Sequence, residues 1–400
     1  MFASQLHATC LRYLPSAALI LFCLEPLLSH LFSEFTLTSP RGPVHLANRA
    51  VIAPMCQYSA DHGQATDWHL MHWANMLNSG AGLFILEATA VTARGRITPT
   101  CLGLWDDATA AALSDTLGRA RRLAPPMPVC IQLSHAGRKG SSAAPWDGGK
   151  LLDAAHGGWQ PEGPSEVPHL AEETPPDAIS TQGLADIQAA FVQAAQRAQA
   201  MGIEAVELHG AHGYLLHQFL SPLSNHRSDG YGGNFEGRIR FPLEVFQAVR
   251  AAFQGSLGIR LSATDWVEGG WTPEETADFA LRLKQAGADF VHISSGGISP
   301  QQKIAIGPEY QVPFAKLVKQ KSGLPTMAVG LITTPQQAED ILVRGDTDLV
   351  ALARSFLYKP RWMWEAAAAL GGTVQASHQY WRCMPREAQG IFGAVRIGQR

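Results

Sequence analysis

The residues with the most chemistry in this 400-residue chain gather at the ends of short apolar runs. Cys56 and Tyr58 follow RAVIAPM (49–55), Gln132 and His135 lie in VCIQLSH (129–135), and His209, His212 and Tyr214 close and follow AVELHGA (205–211). Arg260 sits inside LGIRLSA (257–263), Gly330 near the end of TMAVGL (326–331), and Arg354 ends LVALAR (349–354). An arginine in an apolar run needs an anion close by, because an unpaired buried charge is costly. Read singly, these residues have duller explanations: a satisfied core or loop histidine, an inert buried thiol at Cys56, a packing tyrosine at Tyr214, a structural ion pair at Arg260. His209 and His212 also have H-x-x-H spacing, but a divalent ion wants a third protein ligand, and Glu204 and Glu207 precede the strand end, so no metal is expected.

The elements that must position these groups alternate in the βα manner of a parallel sheet. Besides the six runs above, LFILEATA (83–90) and FVHISSG (290–296) read as strands buried on both faces, making eight. The intervening segments read as helices. Thr272-Pro273-Glu274-Glu275 forms a capping box, with Phe279, Leu283 and Ala286 on one stripe and a stop at Gly287. Thr334-Pro335-Gln336-Gln337 repeats the device, and residues 184–201 place Leu184, Ile187, Phe191, Ala194, Ala198 and Met201 on one face. Eight such units without edge protection imply a single α/β (β/α)8 TIM barrel; a doubly wound sheet would want G-x-G-x-x-G after the first strand, and none is there. In this fold the C-terminal strand ends build the site and the loops after strands seven and eight bind phosphate, so Gly330, Arg354 and the buried arginine suggest a phosphorylated ligand across the mouth. The long connection 136–180, rich in Gly, Pro and Ser, is expected to cover the site. Trp68, Trp105 and Trp266 read as core or rim packing.

A net charge of −3 with interspersed signs gives no electrostatic case for nucleic acid or an anionic membrane. Six cysteines (10, 23, 56, 101, 130, 383) contain no C-x-x-C, and a reducing, cytoplasmic setting is the simplest expectation. The apolar run 14–24 behind Arg12 resembles a signal-peptide core, but it lacks an A-x-A cleavage site and is shorter than the roughly 20 residues of a membrane span. Residues 1–30 are therefore expected to be an unstructured extension or an over-called start, with no stable membrane association.

Taken together, APMCQYS (53–59), LEATAV (86–91), IQLSHAGRKG (131–140), ELHGAHGYLLHQFLSPLSNHRSDGYGG (207–233), SSGG (294–297), AVGLI (328–332) and QYWR (379–382) resemble the old yellow enzyme family of FMN-dependent ene-reductases, most closely its thermophilic-like bacterial subgroup. The resemblance runs in order over residues 31–382. It implies an FMN site made by Ala53, Pro54, Met55, Cys56, the small Ala88, and Gln132 at the pyrimidine edge. Arg260 would stand near the N1/O2 side, and Gly330, Ala353 and Arg354 would hold the phosphate. Ala353 departs from the Gly frequent in the family, and Gly237 from its Asn. The resemblance further implies that His209, Gly210, Ala211, His212 and Tyr58 line the substrate pocket. There the two histidines polarise a carbonyl or nitro oxygen, hydride passes from flavin N5 to the β-carbon, and Tyr214 protonates the α-carbon. Cys56 would tune the flavin or touch substrate. NADPH or NADH would reduce the flavin first, in a ping-pong cycle. Arg382 would reach a neighbouring subunit's site, implying a homodimer or homotetramer, with 31–370 as the barrel and 371–400 as the contributing tail. Asp229, Tyr231 and Gly233 would hold the loop after the fourth strand.

Other classes leave residues unused. A metal-dependent lyase or hydrolase needs convergent strand-end carboxylates, of which Glu87 is the clear candidate. A redox sensor acting through Cys56 would not need the histidine pair and Tyr214 together. A dienoyl-CoA-reductase arrangement lacks its iron–sulfur cysteines and extra nucleotide-binding domains.

Overall fold

A computed structural model describes residues 29–396 and residue 398. The apolar run 14–24, with Cys10 and Cys23, lies outside the described residues. Eight parallel strands close a barrel in the order β3 (Ala50–Ile52), β4 (Leu83–Ala90), β5 (Val129–Ser134), β8 (Ala205–Gly210), β9 (Ser256–Ser262), β10 (Phe290–Ser294), β11 (Thr326–Ala328) and β12 (Leu349–Leu352). Every residue of these strands is buried, as a sheet covered on both faces requires. All eight expected strands are present, but seven end earlier than expected, by one to three residues. Residues 53–55, 329–331 and 353–354 leave the ladder at its C-terminal end, where the backbone turns to form the mouth.

The outer layer holds α1 (Asp67–Leu77), α2 (Asp107–Arg121), α3 (Thr181–Ala200), α4 (Leu215–Leu220), α5 (Phe235–Ala252), α6 (Pro273–Gln285), α7 (Val312–Ser322), α8 (Pro335–Val343), α9 (Arg354–Tyr358) and α10 (Trp362–Leu370). Thr272 and Glu275 close the capping box of α6, and the apolar stripe of α3 is buried as its spacing requires. At α8 the box is incomplete. Thr334 caps Gln337 N, but the Gln337 side chain accepts from Thr333 N, one residue short of the cap. Gly237, in the first turn of α5, has Gly232 O only 2.1 Å from where a Cβ would stand, so a side chain there would need the loop to shift.

Two elements were not legible in the sequence. The hairpin β1 (Phe35–Leu37) with β2 (Val44–Leu46) closes the N-terminal end of the barrel. Its Leu37, Val44 and Leu46 pack against Leu83, Cys130, Ala205, Phe290, Met327 and Leu349. The connection 135–180 contains a short parallel pair, β6 (Glu162–Gly163) and β7 (Asp177–Ala178), tied down by His135 Nε2–Glu162 at 3.1 Å and by Arg138 donating to Val167, Pro168 and Ile298 carbonyls.

The barrel also claims more of both termini than expected. Ser29 and His30, assigned above to the extension, are fastened to Glu339 of α8, whose carboxylate accepts from Ser29 Oγ and from the backbone N–H of His30 and Leu31. At the other end the tail folds onto its own barrel. Val374 N donates to Ile391 O, Phe392 packs edge-on to Trp364 at 4.9 Å, and Ser377 Oγ donates to Asn78. No helix among the described residues is long and apolar enough to cross a membrane.

Candidate active site

Strand register gathers the polar side chains. Gln132 of β5 pairs with Glu207 of β8, His209 with Arg260 of β9, and Arg260 with His292 of β10. Side chains two apart on a strand share a face, so Glu207 and His209 join one inward belt. Glu207 is completely buried; its Oε1 accepts from Gln132 Nε2 at 2.7 Å and its Oε2 bonds His292 Nδ1 at 2.8 Å. Arg260 is buried beside it, and its Nε has no hydrogen-bond partner among the described residues. The anion that a buried arginine requires is thus supplied in part by Glu207, while guanidinium N–H capacity stays free.

Beyond the ladder the β8–α4 turn displays His209, His212 and Tyr214. The His209 ring stands edge-on to those of His212 and Tyr214, with centroids 5.2 and 4.8 Å away. Ala211 N donates to His209 Nδ1 at 3.2 Å, which places the neutral ring's proton on Nε2. Gly210 ends β8 beside Arg260 O, and His212 takes a left-handed φ of 57° and donates its N–H to Ser262 Oγ. His212 Nε2 lies 2.7 Å from Ser294 Oγ. Ser294 Oγ donates to Gln311 Oε1 at 3.2 Å, which also accepts from Ser295 Oγ at 2.7 Å, and this chain of bonds holds the His212 ring in place. Burial, followed by the Arg260 charge, pushes both imidazoles well below the usual histidine range, so they are neutral donors at physiological pH. Burial pushes the Tyr214 phenol well up, keeping it protonated. Lys139 donates to His212 O and Gly297 O and stands 5.2 Å from the Tyr214 ring; desolvation, then Arg138, lowers it to about 8.

The 53–59 turn forms the opposite wall. Glu87 accepts from Gln57 N at 2.8 Å and faces the buried His69 at 3.4 Å, which fixes the turn's path. Cys56 lies against the Ala88 backbone and hydrogen-bonds the Tyr58 side chain; burial, then Cys101 and Glu87, pushes its thiol well up. Tyr58 has a φ of 49° and meets Trp146 of the covering connection edge-on at 5.5 Å. Ala53 and Ala88 are buried, and Pro54 and Met55 are partly exposed.

A cavity of about 200 Å³ opens beside this belt, lined by Arg260, Ser294, Gln311, Gly330, Ala353 and Arg354 among others. Gly330 has a φ of 119°, and a Cβ there would stand 2.6 Å from Gln311 Nε2, so the turn depends on glycine. Arg354 is exposed at the cavity edge and forms no salt bridge among the described residues. Free donors at both ends of one cleft, with an orphaned Arg260 Nε between the ring-sized mouth and the 330/354 cradle, fit a phosphorylated flavin. The described residues hold no cluster of three His, Cys, Asp or Glu able to bind a metal.

The structure thus brings Gln132, His209, His212, Tyr214, Cys56, Tyr58 and Arg260 to one mouth and Gly330, Ala353 and Arg354 to the cavity beside Arg260, but leaves Arg382 elsewhere. That residue is exposed on the tail, on the flank near Asn78 and Trp364. A larger cavity of about 910 Å³ lies on this flank, between Asn78, Pro125 and Tyr380, and contains none of the mouth residues. Sequence reasoning missed Ser294, Gln311, Lys139 and His292, and weighed Glu207 only as a metal ligand. The available signals were a polar residue at every second position of AVELHG and a lone histidine inside FVHIS. Trp68, Trp105 and Trp266 sit at the rim, Trp68 donating to Gln57 Oε1. Asp229 accepts from Tyr231 N and pairs with Arg227, holding the loop after β8.

Comparison with known proteins identifies the family of the chain. The model of the NADH:flavin oxidoreductase / NADH oxidase family matches residues 31–371. An NADPH dehydrogenase of Geobacillus sp. (strain WCH70) is 40% identical over 354 residues, covering 88% of this chain and 98% of the relative. Among solved structures, morphinone reductase superposes with a TM-score of 0.69 at 25% identity, over 88% of this chain and 92% of that one. A 2-naphthoyl-CoA reductase shares the fold with a TM-score of 0.74 at 22% identity, and this chain spans 52% of its length.

Proposed function

This chain belongs to the NADH:flavin oxidoreductase / NADH oxidase family, an FMN-dependent oxidoreductase with a nicotinamide electron donor, and from that premise we propose that it reduces alkenes conjugated to a carbonyl or nitro group. The observation that carries the reading is the convergence of two neutral imidazoles and a protonated phenol on one mouth, above a buried arginine with an unpaired N–H. FMN, when bound, supplies hydride transfer between the nicotinamide and the alkene. Ala53, Pro54, Met55, Cys56, Ala88 and Gln132 would hold its ring system, Arg260 would face the charge gained on reduction, and Gly330, Ala353 and Arg354 would hold its phosphate.

His209, from Nε2, and His212 donate to a single substrate oxygen, which draws electrons from the conjugated bond. Gly210 and Ala211 fix the turn that sets the spacing of these donors. Tyr214 holds the proton delivered to the α-carbon, and its burial keeps that proton in place until substrate charge develops. Tyr58 closes the pocket with Trp146 at its back. Cys56, held as a thiol, acts as a neutral contact and not as a nucleophile. NADPH is the proposed donor, with NADH using the same pocket. The working form is a cytoplasmic homodimer, or a tetramer of dimers, in which the exposed Arg382 of one copy completes the mouth of the next.

The test is a single cuvette: purified protein, anaerobic NADPH, then cyclohexenone. Yellow flavin bands that bleach and return with the enone support the reading. A colourless protein that FMN does not reconstitute sinks it, and bleaching without return moves the oxidant to another chemical class. An R382A variant that keeps its oligomeric state while losing enone turnover would support the shared site.

A further inference from the structure

Glu207 is the one carboxylate at the centre of the belt, and the reading above gives it no task. Arg–carboxylate pairs are frequently bidentate, through two parallel N–H bonds. Here neutral groups occupy it instead: Gln132 Nε2 at 2.7 Å and His292 Nδ1 at 2.8 Å. Arg260 lies within its field without a hydrogen bond to it, and Arg260 Nε and His292 Nε2 both lack a partner among the described residues. The arrangement fixes two things at once. Gln132 must present its amide oxygen away from Glu207, since its NH2 is committed. The Arg260 charge is balanced at short range while its donors stay free.

We propose that Glu207 is a positioning residue that sets how readily the flavin is reduced, as the fixed counter-charge of Arg260 and the group that orients Gln132. The proposal rests on the reading that Arg260 and Gln132 face FMN. With the carboxylate present, Arg260 is already partly neutralised and attracts the negative charge of the reduced cofactor less strongly. With it removed, the uncompensated cation favours the reduced form.

Glu207→Gln keeps the volume and removes the charge. At a fixed solution potential, the reduced-to-oxidised ratio of bound FMN is expected to rise at least tenfold, about 30 mV for a two-electron couple. Glu207→Asp keeps the charge and is expected to stay within threefold of wild type. An unchanged or lowered potential in E207Q overturns the proposal, as does an equal rise in E207D; a purely structural Glu207 would lower the melting temperature and leave the potential alone. Should E207Q fail to fold, nitrogen NMR of wild-type His292 decides. A neutral ring protonated on Nδ1 from pH 5 to 9, with and without FMN, supports the assignment, and a charged or Nε2-protonated ring overturns it. Failure of the wild type to retain FMN would instead strike the reading of the site itself.

Discussion

The two ends of this barrel are made by the same eight strands and share little else. At the N-terminal end, Leu37, Val44 and Leu46 of the hairpin meet Leu83, Phe290, Met327 and Leu349 in a dry apolar layer. At the C-terminal end Glu207, His209, Arg260 and His292 are as deeply buried, yet Arg260 Nε and His292 Nε2 have no partner among the described residues and Tyr58, His212 and Leu331 hold positive φ. Native proteins leave few buried polar atoms unsatisfied, and left-handed non-glycine residues cost of order 1–3 kcal/mol each, so such features persist where something else uses them. One end of the barrel is built for stability, and the other spends part of that stability on chemistry.

The sharpest way to separate the ends is Tyr214→Phe. It is expected to slow alkene reduction about 10²–10⁴-fold, while NADPH still bleaches the flavin at near wild-type rate and the melting temperature barely moves. Equal losses in both half-reactions would contradict the proton-donor role. The opposite end should answer in the opposite currency. Leu46→Ala should lower unfolding free energy by about 2–5 kcal/mol in a denaturant titration, with kcat of the folded enzyme unchanged. A large fall in kcat would mean that the ends are coupled.

Acid probes the flank between them. Burial, then His69, lowers His72 of α1 from 6.5 to about 4. Between those values the unfolded chain takes up a proton that the folded chain refuses, so stability present above pH 6.5 is lost as pH falls towards 4, by about 3 kcal/mol for this one group. In His72→Gln the melting temperature should fall less steeply across that interval; a slope identical to wild type would assign the acid sensitivity to the mouth histidines instead. The smallest effect belongs to Ser294→Ala, which removes the hydroxyl that holds the His212 ring at Nε2. A net hydrogen bond of about 0.5–1.5 kcal/mol corresponds to a roughly 2- to 10-fold loss in kcat/KM for an enone, and no loss would mean that packing alone orients the ring.

Legibility in the sequence followed the same divide. Strands buried on both faces are uninterrupted apolar runs, so all eight could be located, and LFILEATA matched residue for residue at 83–90. The hairpin could not be seen, because each of its strands is three residues long and its partner is the barrel floor and not a neighbouring repeat. The strand-end residues were found from their position. Their partners were not, since Ser294 comes from the end of β10 and Gln311 and Lys139 from two other connections. The short α8 capping box shows a smaller gap of the same kind: the residue pattern was present, but the Gln337 side chain bonded Thr333 instead of the cap.

Taken alone, the chain's residues determined the periodicity, the punctuation of the helices and the set of polar side chains at strand ends, because these depend on near neighbours. Only closure of the barrel decided which of them meet. Register put Gln132 beside Glu207 and set Arg260 between His209 and His292, and burial then kept the imidazoles neutral and the phenol protonated. Protonation state depends on desolvation and on charges brought from distant strands, and neither exists until the fold is complete.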